Sequence, residues 1–117
     1  MGTPLYASNN ALLGKEISRR DDIESMIYIL IYCLKGSLPW QGVLKMDFLQ
    51  SENAKKKILQ MRDPDGPLLR EIPSELRSLL AYAQSMDFEA EPDYERIETI
   101  LTLILEKNGL SDSLQLP

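Results

Sequence analysis

Histidine is absent from this sequence, and cysteine occurs once, at Cys33. Without histidine, the chain cannot form a Ser/His/Asp or Cys/His catalytic group, and it lacks the usual zinc ligand sets. A single cysteine also excludes a disulfide within the chain. Because Cys33 lies within an apolar run, we predict that it is a small core residue in a reducing compartment, the cytosol or the nucleus.

Basic residues are outnumbered by acidic ones, and no long apolar run occurs. Thirteen Lys and Arg stand against eighteen Asp and Glu, which gives a formal net charge of -5. This balance argues against binding to nucleic acid or to an anionic membrane. The longest apolar run, residues 26–34, has about half the length that a bilayer span needs. We therefore predict one globular domain whose partners are neither nucleic acids nor membranes.

One segment of the chain carries clear helix signals. Ser18 and Asp21 have the spacing of a capping box, and Gly36 can supply the left-handed residue that ends a helix. These signals predict a helix over residues 19–35. Its apolar residues are spread around the whole circumference, which predicts that this helix is the most buried one and forms the axis of the domain.

The other elements are predicted from turn formers and apolar periodicity. Residues 1–17 are expected to form an ordered loop with one helical turn, and Leu38 and Trp40 to anchor the turn at residues 36–42 in the core. Three further helices are predicted, together with a frayed tail: residues 45–62, a helix starting near Pro73 and Ser74, a helix capped by Asp93 and stopped at Gly109, and a tail at residues 111–117. No strand pattern is seen, so the prediction is all-α over residues 1–110.

Three stretches occur together in a specific order and spacing. They are Gly-Thr-Pro-Leu-Tyr-Ala-Ser at residues 2–8, Ser-Arg-Arg-Asp-Asp-Ile-Glu-Ser at residues 18–25, and Gly-Ser-Leu-Pro-Trp-Gln-Gly at residues 36–42. With Pro-Ser-Glu at 73–75 and Pro-Asp-Tyr at 92–94, the sequence resembles the casein kinase I family of Ser/Thr protein kinases up to about residue 109. The resemblance implies the C-terminal half of a protein-kinase large lobe, with four main helices around one buried axial helix.

The resemblance also implies roles for particular residues. Residues 1–17 correspond to the end of the activation segment, and residues 18–110 to the helical core. In kinases, the residue matching Thr3 contacts the catalytic Asp and Lys, and the residue matching Asp22 hydrogen-bonds the backbone of the catalytic loop. Both would support chemistry that other residues perform. Asp22 has a simpler alternative role, as a negative charge in the first turn of a helix.

A substrate or partner surface is predicted at Leu5, Tyr6 and the three lysines Lys55, Lys56 and Lys57. Leu5 stands where the family commonly has an anion-binding Arg, so recognition of acidic substrates is in doubt. Two further departures are Asn9, at a position that is aliphatic in the family, and Ile27, where the family usually has Gly. The lysines form either a remnant of a basic patch or a solvated helix face, and we favour the solvated face.

No G-x-G-x-x-G or H-R-D motif occurs in the sequence, nor does the rest of the kinase nucleotide site. We therefore predict that this chain alone has no catalytic or cofactor-binding residue and transfers no phosphate. Two functions stay open. The chain is either a non-catalytic binding or structural module, or the C-terminal piece of an active Ser/Thr kinase whose missing N-terminal half supplies the ATP and magnesium site. A product without a selected role is a third possibility.

An uncovered surface is the last expectation. Three helices cannot easily surround a fourth that is apolar on all faces, and the catalytic loop that covers this helix in kinases has no counterpart here. We therefore expect a protein partner or a second copy of the chain to cover it, through side chains left exposed among Met26, Ile27, Leu30, Ile31 and Leu34.

Overall fold

A computed structural model describes residues 5–46 and 51–107, and every regular element in these ranges is helical. The helices are α1 (Asn9–Leu12), α2 (Arg19–Lys35), α3 (Gln41–Met46), α4 (Glu52–Met61), α5 (Ser74–Ser85) and α6 (Tyr94–Lys107), with a 3-10 turn at Pro67–Leu69. The all-α prediction is confirmed for this part of the chain. None of the described helices is long and apolar enough to cross a membrane.

Helix α2 begins and ends where its local signals predict. The backbone N–H of Ser18 donates a hydrogen bond of 2.8 Å to the Asp21 carboxylate, and the predicted capping box is present. At the other end, Gly36 adopts φ +79°, and its N–H donates to the carbonyl of Tyr32 at 2.7 Å. Glycine is favoured here because a side chain would be strained at this positive φ.

The core lies mainly between α2 and α5, and α6 also packs on α5. Helix α2 contributes Ile23, Ile27, Tyr28 and Ile31 to it, and α5 contributes an apolar stripe of its own, formed by Leu76, Leu79, Leu80 and Ala83. These residues recur every three or four positions, so each helix presents one apolar face to the other.

The turn after α2 is anchored as predicted. Leu38 and Trp40 are both buried, and the Trp40 ring lies edge-on to Tyr28 with ring centroids 5.0 Å apart. The Trp40 indole N–H donates a hydrogen bond of 2.7 Å to the carbonyl of Leu5. A buried indole needs such an acceptor, so this residue ties the turn to both the core and the start of the described chain.

The prediction of one helix over residues 45–62 is wrong. Helix α3 already begins at Gln41, and Ser51 has an extended backbone (ψ 163°) that starts α4 as a separate helix. The Ser51 side chain accepts a hydrogen bond from the N–H of Ala54, which satisfies one of the free donors at a helix start. Phe48 and Leu49, part of the predicted helix, lie outside the described residues.

The last two helices agree with prediction. Helix α5 begins at Ser74, and the Asp93 carboxylate accepts a hydrogen bond of 3.1 Å from the N–H of Arg96 in the first turn of α6.

At the opposite end of the chain, the single predicted turn is α1. The predicted stop at Gly109 and the tail at residues 111–117 fall outside the described residues, as does Thr3.

Helix α2 has one covered face and one open face. The open face carries Asp22, Ile29 and Cys33, all of which are exposed, with Ser25 half-buried between them. The core prediction for Cys33 is therefore wrong, because a position two residues beyond Ile31 points to the opposite side of a helix. Exposed side chains were expected among five residues of α2, and none of the five is exposed. Ile27 and Ile31 are fully buried, while Met26, Leu30 and Leu34 are half-buried.

Candidate functional site

An open groove of about 360 Å³ runs along the N-terminal half of α2. The segment that leads into α1 forms one wall, and the open face of α2 forms the other. The lining residues are Tyr6, Ala7, Ser8 and Ala11 on the first wall, Ile17 before α2, and Asp21, Asp22, Ser25 and Ile29 on the second wall. The groove thus lies between residues 6–11 and α2, two segments whose contact was not predicted from the sequence.

Apolar side chains stand exposed in this groove. Ile17 is 56% exposed and Ile29 is 46% exposed, although both are large aliphatic residues. The exposed carboxylate of Asp22 lies on the same face of α2. An apolar surface with one carboxylate beside it can accept an apolar side chain and a hydrogen-bond donor from another polypeptide segment.

Asp21 and Asp22 are neighbours with different surroundings. Asp21 is buried, and its carboxylate accepts hydrogen bonds from Asn10 Nδ2 at 2.9 Å and from the Ser18 N–H at 2.8 Å. Burial by itself raises the pKa of Asp21, but hydrogen bonds from Asn10, Ser18 and Ser8 and the charge of Arg20 outweigh it, so the pKa is lowered. Asp21 therefore fastens α1 to α2, and Asp22 stays available on the open face.

A buried polar cluster supports the first wall from behind. Glu24 accepts hydrogen bonds from the Asn9 N–H at 3.0 Å and from the Tyr28 hydroxyl. Arg62 donates to the carbonyls of Leu5 and Ala7, and Gln84 donates to the Tyr28 hydroxyl at 3.2 Å and to the Arg62 carbonyl at 3.0 Å. These contacts connect α2, the end of α4 and α5 to the segment that precedes α1.

Burial dominates the protonation of this cluster. Desolvation raises the pKa of Glu24, against smaller opposing effects of the hydrogen bonds from Tyr28 and Asn9 and of the charge of Arg62. Desolvation likewise raises the pKa of Tyr28 well above its ordinary value and lowers the pKa of Arg62. This cluster was not predicted from the sequence. The feature that could have indicated it is Glu24, a carboxylate within an apolar helix, with Tyr28 one turn later.

The residues predicted for a substrate or partner surface are not brought together in one place. Leu5 and Tyr6 are half-buried, and the Tyr6 ring lies edge-on to Tyr32 with centroids 6.1 Å apart. The Lys55 Nζ lies 3.8 Å from Glu52 Oε1, and Lys56 and Lys57 are exposed on α4. Only Tyr6 of this set lines the groove.

The amino-acid sequence of this chain is similar to segments of known proteins, two of which are described here. The chain is 38% identical over 116 residues to casein kinase I homolog 3 of Saccharomyces cerevisiae, and 36% identical over 113 residues to casein kinase I homolog 2 of Schizosaccharomyces pombe. These matches cover 95% and 92% of this chain but only 21% and 25% of the two relatives. No protein-family model matches the chain.

The all-helical fold and these relatives together define a class. The chain has the fold of a helical segment from a protein-kinase large lobe. More narrowly, it is similar to a segment of casein kinase I homologs, and this similarity agrees with the resemblance that its motifs indicated. It spans about a fifth to a quarter of the length of the curated relatives that it matches.

Proposed function

We propose that this chain is a non-catalytic binding module, and that the groove beside α2 binds its partner. The partner is a polypeptide segment that places an apolar side chain against Ile17 and Ile29 and donates a hydrogen bond to the Asp22 carboxylate. This partner is either the rest of a casein kinase I domain, a further protein with the same chemistry, or a second copy of the chain. The compartment we expect is the cytosol or the nucleus.

The observation that carries this proposal is the exposure of Ile17 and Ile29 in one groove. Fully burying such a side chain contributes about 1.5–3 kcal/mol of favourable free energy. Because Ile17 and Ile29 are each already partly buried, a partner that covers them gains only a part of this free energy from each. Asp22 adds specificity, because a segment that lacks a donor would leave its carboxylate desolvated and unpaired. The groove therefore favours a partner with both features.

Binding can be measured by sedimentation of the purified chain, alone and mixed with the remaining part of the kinase domain of casein kinase I homolog 2. We expect association in at least one of the two samples. Ile29→Glu should weaken it, since a charge would be buried against an apolar surface. Leu68→Glu is the matched control, because Leu68 is 51% exposed on the 3-10 turn and does not line the groove. A monomer that binds nothing, or equal effects of both variants, would contradict the proposal.

A second function is supported by the casein kinase I relatives themselves. In this alternative, the chain is part of an active Ser/Thr kinase whose other residues supply the ATP and magnesium site. Transfer of labelled phosphate to casein separates the two functions. We expect no phosphate transfer from the chain alone. The remaining kinase part is measured alone as a control, and we expect its mixture with the chain to transfer no more phosphate than that control. Transfer that appears only in the mixture would favour the enzymatic alternative.

A further inference from the structure

Arg62 is a fully buried cation whose hydrogen bonds converge on one short segment. It lies at the C-terminal end of α4 and is 0% exposed. One terminal nitrogen donates to the Ala7 carbonyl at 2.6 Å and to Asn9 Oδ1 at 3.1 Å, and the other donates to the Leu5 carbonyl at 3.3 Å. Its Nε is buried without a hydrogen-bond partner. All three of these hydrogen bonds go to residues 5–9.

The guanidinium is held between two buried aromatic rings. Its central carbon lies 4.1 Å from the centroid of the Tyr28 ring and 4.6 Å from that of the Trp40 ring. The Trp40 indole N–H donates to the same Leu5 carbonyl that Arg62 contacts. A planar cation stacked on aromatic rings has a defined orientation, so its donors point at these carbonyls in a defined direction.

Asn9 connects Arg62 to the buried carboxylate of Glu24. The Asn9 side chain accepts from Arg62, while the Asn9 backbone N–H donates to Glu24. Among these three acceptors of Arg62, the Asn9 amide oxygen is the one that belongs to a side chain. An aliphatic side chain has no acceptor for the guanidinium, so this contact depends on the residue type at position 9.

We propose that Arg62 is the positioning residue of the groove. It fixes residues 5–9, and with them the wall formed by Tyr6, Ala7 and Ser8, although Arg62 itself does not line the groove. The relevance of this wall to a partner rests on the proposed function, but the positioning itself is a property of the free chain. It can therefore be tested without any partner.

Amide hydrogen exchange of the free chain is the direct test. Asn9→Leu removes the side-chain oxygen that accepts a hydrogen bond from Arg62, and it keeps the backbone N–H that donates to Glu24. We expect the α1 amides of Ala11 and Leu12 to exchange about tenfold faster or more, since a hydrogen bond to a charged group is lost. Amides of α5 should keep their rates. An increase of equal size in α1 and α5, or no increase in α1, would overturn the proposal.

Arg62→Lys gives a second, stronger variant, and Arg70→Lys is its control. Lysine carries the charge but has neither the planar face nor the fork of donors, so we expect a larger rise of exchange in α1 than in Asn9→Leu. Arg70 is exposed after the 3-10 turn, and Arg70→Lys should change nothing. If Arg62→Lys unfolds the chain, Asn9→Leu still decides. If the unaltered chain binds no partner, the proposed function fails and the exchange result on Arg62 stands by itself.

Discussion

The two faces of α2 both carry isoleucine, but these isoleucines have different surroundings. Ile31 is 1% exposed on one face, and Ile29, only two positions away, is 46% exposed on the other. Both are isoleucines in the same apolar run, so residue type does not explain the difference. The covered face meets α5 and the Trp40 turn, whereas the N-terminal part of the other face borders the groove. A helix that is apolar all round indicates that two surfaces need cover, and here the described chain covers one of them.

The largest expected effect comes from shortening an isoleucine on each face. Ile31→Ala should lower the free energy of unfolding by about 2–5 kcal/mol, because it removes buried methyl groups and leaves a cavity. Ile29→Ala should change it by about 0.5 kcal/mol or less, as expected at a half-exposed site. Urea unfolding followed by circular dichroism measures both. Equal losses in the two variants would mean that Ile29 is buried in the purified protein, either within one chain or by self-association.

The neighbouring aspartates give the next largest difference. Asp21→Asn replaces one acceptor with a donor facing Asn10 and Ser18, so a buried hydrogen bond is lost at a cost of about 1–3 kcal/mol. Asp22→Asn removes only a favourable charge in the first helical turn, worth about 0.3–1 kcal/mol. Thermal unfolding at neutral pH compares the two variants. A larger loss in Asp22→Asn would contradict the assignment of Asp21 as the residue that fastens α1.

The pH dependence of stability should separate Asp21 from Glu24. The folded-state pKa of Asp21 is lowered from 3.8, so its stabilising effect is present above that value and is lost as the pH falls through the lower folded pKa. The folded-state pKa of Glu24 is raised from 4.5, so its contribution is present below 4.5 and is lost as the pH rises through the higher folded pKa. Urea unfolding across both windows measures these slopes.

Each slope has its own matched variant. Asp21→Asn should flatten the loss of stability below pH 3.8, and Glu24→Gln should flatten the loss above pH 4.5. Each variant is the control for the other, since the two carboxylates lie three positions apart on the same helix. A slope that survives in its own variant would show that other groups produce it.

The smallest effect on stability is expected at Cys33, on the open face. Cys33→Ala should change the free energy of unfolding by about 0.5 kcal/mol or less, because the side chain is exposed. The thiol should also be alkylated by a maleimide without denaturant, which mass spectrometry detects as one added group. Protection of the thiol in a monomeric sample would mean that Cys33 is buried after all, as the apolar run around it suggests.

Prediction from sequence succeeded where the determining contacts are local. The start of α2 depends on Ser18 and Asp21, its end on Gly36, and the start of α6 on Asp93, all within three or four residues of the groups that they satisfy. The single helix predicted for residues 45–62 failed for a local reason as well. Ser51 has the capping chemistry of a helix start, and the apolar periodicity around it obscured that signal.

The helical class, both ends of α2, the starts of α5 and α6 and, through the motifs, the likeness to casein kinase I follow from the sequence alone. The covered face of α2, the exposure of Cys33 and the hydrogen bonds from Arg62 to residues 5–9 follow from the assembled fold and were not predicted from the sequence. The physical reason is the range of the interactions. Capping and helical periodicity act over a few residues, whereas the contact between Arg62 and Ala7 spans 55 positions and forms only where α2, α4 and the Trp40 turn pack together.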